Sequence, residues 1–165
     1  MTSAGNWCRP PEDIPGRGET EGFAQRIRKN LDFIVEAHNE CHVDVHVVTQ
    51  VVLSLLGIIV FPFEKLAVQH KWEWSINELE AAGWPRWRYV TESSRPASLW
   101  DLIRNLRHAT AHNNIAFSSD SRWLNEVEIT FTNNHVKPKW EASIRGDELL
   151  EFCRLFLTRI EGVVG

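Results

Sequence analysis

The sequence predicts an all-α fold: one mainly helical domain with a small β-hairpin before the last helix. Three observations predict it. Apolar residues recur every three or four positions through most of the 165 residues. One segment, EVEITFT, alternates apolar and polar residues instead. Helix-capping and turn residues fall between the periodic stretches.

Residues 1–18 hold Pro10, Pro11, Pro15, Gly5, Gly16 and Gly18, a composition that predicts a flexible arm. They carry no apolar core of the kind a secretory signal needs. The helical domain is expected over 19–165. Its first helix starts at Glu19, where Phe23, Ile27, Leu31, Ile34 and His38 form a mostly apolar stripe, and ends near Asn39. A second helix is expected from Val43 to Ile59. Val45, Val48, Val51, Val52, Leu55, Leu56 and Ile59 cover more than one face, so it is buried on several sides by a neighbour or by a partner subunit. A strand reading competes because β-branched residues abound; length favours helix. Gly57 fits a close helix contact. Pro62 is expected to end or kink this helix, and FPFEKLAVQH leaves room for a short following one.

SINELEAA, Ser75 to Ala82, predicts a short helix capped by Ser75, with Glu78 in the capping-box position and Gly83 as its stop. WPRWRY, residues 84–89, reads as an aromatic loop. Its tryptophans beside arginines suit either core filling or the stacking of bases. The next helix spans Ala97 to Ala111, with Ser94 or Ser98 as its cap. Leu99, Leu102, Ile103, Leu106, Ala109 and Thr110 are its packed stripe. Asn113, Asn114 and Ser118 to Asp120 mark turns. Glu126 to Thr132 and Lys139 to Ile144 pair across NNHVKP as a hairpin. A final helix from Asp147 to Gly162 packs through Leu149, Leu150, Phe152, Cys153, Phe156, Leu157 and Ile160.

Composition narrows the function. The net charge is -4, from 22 acidic and 18 basic side chains, so a general nucleic-acid footprint is missing and any such contact is local. Thirteen of the basic residues are Arg, suited to planar contacts with phosphate or carboxylate. Cys8, Cys41 and Cys153 are odd in number and lack CxxC spacing, which fits a reducing compartment without a disulfide framework. The mostly apolar run from Val51 to Phe63 is too short to span a bilayer. A cytoplasmic protein without membrane contact is the expectation. His38, His42 and His46 would form a ladder able to hold Zn²⁺ or Ni²⁺ on one continuous helix. Packed or interface histidines are the simpler reading, so no metal and no cofactor is expected. No P-loop, dinucleotide fingerprint or hydrolase elbow is present in the sequence.

The segment LIRNLRHATAH, Leu102 to His112, carries the chemistry. Arg104, His108 and His112 are successive i,i+4 neighbours opposite the apolar stripe. Arg107 lies about 100° from His108. An imidazole can accept a proton from a ribose 2′-OH or give one to a leaving oxygen. A guanidinium can hold the phosphate through the change in charge. Such cleavage needs no metal when the 2′-OH is the nucleophile, and it spares DNA. The competing reading is a solvated or salt-bridged surface. On an ideal helix Arg107 and His112 stand about 140° apart. They converge only if the helix loosens at His112 or a second chain completes the site.

LRHATAH resembles the LRNAxAH signature of the HEPN superfamily, an Arg and a His in R-x4-6-H spacing. Arg107 and His112 match it, and His108 takes the polar position where Asn is usual. LLGIIVFPFEK, Leu55 to Lys65, resembles a plasmid- and phage-associated branch of that superfamily. The likeness spans about residues 20–162. It implies a four- to five-helix bundle that homodimerises with its motifs facing one cleft. It implies a metal-independent endoribonuclease, a toxin or defence effector acting on RNA, with an antitoxin or defence-system partner. Arg107 would then hold the phosphate, His112 would be the acid/base, and His108 would orient or polarise the site. Arg104, Asn105 and Asn113 are the substrate-binding candidates beside them. HEPN toxins regulated by tyrosine modification carry a tyrosine just after the motif His. Here the next residues are Asn113, Asn114 and Ile115, and the one tyrosine is Tyr89. A non-catalytic RNA- or protein-binding module on the same fold is the alternative.

Overall fold

The computed structural model describes residues 19–40, 44–66 and 74–163. The expected N-terminal arm lies outside them, as do Cys8, Cys41 and His42. Five helices and a small sheet make up the described chain: α1 (Glu19–Asn39), α2 (Val47–Leu66), α3 (Ile76–Ala81), β1 (Arg88–Tyr89), α4 (Leu99–Ala111), β2 (Ile115–Phe117), β3 (Glu128–Asn133), β4 (Trp140–Arg145) and α5 (Gly146–Val163). The fold is mainly helical, with the sheet before the last helix.

α1 packs on α2 and α5, and α2 also packs on α4. Val47, Val48, Val51, Val52, Leu55, Ile58 and Ile59 of α2 are all buried within this chain. That explains why its sequence is apolar on more than one face: three helices surround it. Leu53 and Val60 remain exposed. A methyl group on Gly57 would stand 2.8 Å from Ile27 Cδ1, so the glycine admits α1 at close range. α2 runs on through Pro62 to Leu66, which corrects the expected end of the helix at Ile59. A proline removes one backbone donor, and the buried turn at Ile58 and Ile59 holds the helix ahead of that loss. The ladder of His38, His42 and His46 has no continuous helix, since α1 stops at Asn39 and α2 starts at Val47. His38 packs edge-on against Trp123, with ring centroids 5.0 Å apart. His46 Nδ1 instead accepts from the Thr49 amide in the first turn of α2.

The expected hairpin is the centre of a four-stranded antiparallel sheet of order β1-β4-β3-β2. Ile129 pairs with Ile144, Phe131 with Ala142 and Asn133 with Trp140, and all six are buried on one face. β3 lies against α4, so this face closes the core beside the helix that carries the histidines. The WPRWRY loop ends in β1. Trp84 and Trp87 pack edge-on against Phe152, which settles them as core rather than stacking platforms. Their arginines are held by carboxylates: Arg86 by Glu80, Arg88 by Glu128 and Glu148.

Candidate functional site

α4 starts at Ser98, whose hydroxyl accepts from the Asp101 amide at 3.2 Å. Ser94 belongs to the preceding 3-10 turn. The helix ends at His112, where ψ has moved to 12°. Asn113 then takes φ 55°. In that left-handed turn the Asn113 amide donates to Thr110 O at 3.1 Å and the Asn114 amide to Ala109 O at 2.8 Å. Asn is the residue that reaches this conformation most readily after Gly. Asn113, expected among the substrate-binding residues, therefore has a structural duty: it stops the helix directly after His112 and leaves its own side chain exposed.

The helix end gathers imidazoles. His108 and His112 lie one turn apart with ring planes 1° from parallel and centroids 6.4 Å apart. Both are exposed. A third ring, His135 from the β3–β4 turn, comes to 4.2 Å from His112 and 6.2 Å from His108. Partial burial first, then His135, His112, Arg104 and Arg107, hold the His108 pKa below its ordinary value. A proton on either neighbouring ring thus discourages one on His108.

The two arginines differ. Arg104 is half exposed and its guanidinium pairs with Asp101 at 3.0 Å, toward the start of the helix. Arg107 is partly buried and close enough to bear on His108 electrostatically. Its carbonyl accepts from the Thr110 hydroxyl at 2.9 Å, a local tie in the turn before the helix stops.

Asn105 corrects the sequence reading. It faces inward and is buried, with its Nδ2 donating to Asp101 O at 2.9 Å. Its Oδ1 accepts from Asn133 Nδ2 at 2.8 Å, and Asn133 Oδ1 accepts from the His135 amide at 3.0 Å. The amide of Asn105 therefore faces the interior. It connects α4 to the turn that carries His135. The helical spacing holds this signal: Asn105 stands three residues after Leu102 and four before Ala109, on the buried stripe. Sequence reasoning misses His135 because nothing local marks it. Only the pairing of β3 with β4 brings that turn to the end of α4.

The family described as HEPN pEK499 p136 matches residues 13–162. The chain belongs to this HEPN family. No curated protein and no solved structure matches it. Within the HEPN chain the LRHATAH segment forms the last two turns of α4 and its C-cap. The LLGIIVFPFEK segment forms most of the second half of α2. Tyr89 of this HEPN protein lies in β1 with its hydroxyl buried, and that burial pushes its pKa far up. Among the described residues no group of three or more His, Cys, Asp or Glu is arranged to hold a metal ion. Among the same residues no helix is long and apolar enough to cross a membrane.

Proposed function

We propose that this HEPN protein is a metal-independent endoribonuclease that cleaves RNA through its own 2′-hydroxyls. One observation carries the reading: exposed imidazoles of His108 and His112 stand together at the end of α4, beside Arg107, on a protein of net negative charge. Imidazole is the side chain that exchanges protons near neutral pH. Arg107 is assigned to the scissile phosphate, where a fork of charged donors follows the charge as it builds. His112 is assigned as acid/base, and His108, whose pKa is lowered by partial burial and by its cationic neighbours, as the group that orients the ribose. Arg104 lies one turn further along for a flanking phosphate. His112 sits at the C-cap, one turn after His108, which Arg107 approaches closely enough to act on. A homodimer that joins two such sites in one cleft, and a role as a cytoplasmic toxin or defence effector with a cognate partner, belong to the same proposal.

The test is incubation of wild type, Arg107→Ala and His112→Ala with mixed RNA in EDTA. The expected products end in 2′,3′-cyclic phosphate. Each substitution should lower the rate by about 10²–10⁴-fold while the circular dichroism stays that of wild type. Cleavage by either variant at the wild-type rate would remove the assigned roles.

The ion pair of Arg104 with Asp101 favours a second reading, a non-catalytic RNA- or protein-binding module, because it neutralises one of the two arginines. Salt-sensitive RNA binding without turnover would support it.

A further inference from the structure

His135 has a part in the site that rests on the proposed RNA cleavage. The described interior commits a chain of hydrogen bonds to its position. Asp101 O accepts from Asn105, Asn105 from Asn133, and Asn133 from the His135 backbone amide. Asn105 and Asn133 are 7% and 1% exposed. Buried amides are costly unless satisfied, and these two satisfy each other and fix the turn. The His135 ring itself is exposed, 4.2 Å between centroids from His112. The backbone is anchored while the imidazole is presented.

Cleavage through a 2′-hydroxyl needs two proton partners at once, a neutral base and a protonated acid. Two imidazoles 4.2 Å apart between centroids offer one ring for each of these roles at the same place. We propose that His135 is a catalytic residue of this site and forms, with His112, an acid–base pair within a single chain. The neutral ring takes the 2′-OH proton as the 2′-oxygen bonds to phosphorus. The bond from phosphorus to the 5′-oxygen breaks, and the imidazolium gives that oxygen its proton. The products are a 2′,3′-cyclic phosphate and a 5′-hydroxyl, and the pair ends with its proton moved from one ring to the other. Among the described residues, the imidazoles in contact with His135 are His108 and His112 on α4, with Arg104 and Arg107 on the same helix acting on His108. Lys137 and Lys139 lie in its own turn, and Lys139 is held by Glu141.

The pH–rate profile with an RNA oligonucleotide in EDTA tests the pair. Wild type should give a bell. His135→Gln should lose one limb and His112→Gln the other, each with about 10²-fold or greater loss at the optimum. A substrate with sulfur in place of the bridging 5′-oxygen, which leaves without a proton, should restore one variant and not the other. If His135→Gln keeps both limbs, the proposal is overturned while wild-type cleavage still stands. If wild type does not cleave, the proposed function falls and the pair with it. Activity regained on mixing the two Gln variants overturns the placement of both rings in one chain.

Discussion

α3 and α4 stop with the same backbone turn. Gly83 takes φ 87° after α3, and Asn113 takes φ 55° after α4. In each, the next amide reaches back to the carbonyl five residues earlier: Trp84 to Leu79 at 3.0 Å, Asn114 to Ala109 at 2.8 Å. The surroundings of the two stops differ. After Gly83 the chain buries Trp84 and Trp87, and the arginines around it are held by Glu80, Glu128 and Glu148. At the Asn113 end the rings stay exposed, and the charges acting on His108 come from imidazoles and guanidiniums. The same stop is followed by buried tryptophans at one end and by exposed imidazoles at the other. A helix-ending motif by itself does not fix its surroundings; the chain that follows decides whether the neighbouring rings are buried or exposed.

The largest effect on stability should come from the first end. Trp84→Ala removes a 6%-exposed ring packed on Phe152 and should cost about 3–5 kcal/mol in chemical denaturation. His112→Ala at the other end should leave the denaturation midpoint near wild type, since its ring is exposed. A large destabilisation by His112→Ala would break the contrast. Next in size is Asn105→Ala, which leaves the Asn133 amide without its acceptor. It should cost about 1–3 kcal/mol. If Asn105 touched only solvent, the same variant would be silent.

The two turns themselves should respond differently to substitution. Gly83→Ala forces a Cβ into a left-handed conformation and should cost about 1–2 kcal/mol. Asn113→Gly should stay within about 0.5 kcal/mol of wild type, because glycine takes that conformation freely. Thermal melts of the two variants measure both. The smallest effect concerns pH. The folded-state pKa of His108 is lowered, mainly by burial and then by its cationic neighbours. Folding therefore disfavours its protonation. Its contribution to stability is intact above the unfolded-state pKa of about 6.5 and is lost as pH falls below that value toward the folded pKa. His108→Gln should flatten the decline in midpoint between about pH 7.5 and 5. An unchanged slope would show that His108 is not the group responsible.

Local relations along the chain were legible before the fold. The SINE start of α3 forms its capping box because Ser75 and Glu78 are three residues apart. Alternation in EVEITFT turns Ile129 and Phe131 inward for the same reason. β1 and β2 were not legible: two and three residues give too little periodicity, and pairing alone makes them strands. Of the site, the spacing of Arg104, His108 and His112 along one helix was visible. His135 was not, because its approach depends on a sheet register. Asn105 reads as a surface group by its polar chemistry; its position on the Leu102 and Ala109 stripe is the better guide. Asn133 sits on the Phe131 face in the same way. Two asparagines, each on an apolar face of its own element, mark a contact between those elements.

The carbonyl of Asn114 accepts from the Thr132 amide at 3.0 Å. The residue that leaves the α4 stop is thereby sewn to the strand that ends in the histidine-bearing turn. Helix end and turn are joined by this bond and, inside, by the asparagine pair. The backbone that carries the rings is thus tied before any ligand arrives. If the proposed site takes RNA, the backbone under its rings is already tied, and less of the binding strength goes into assembling it. On that proposal, changing the salt concentration should alter how often RNA arrives and leave the spacing of these two backbone segments untouched.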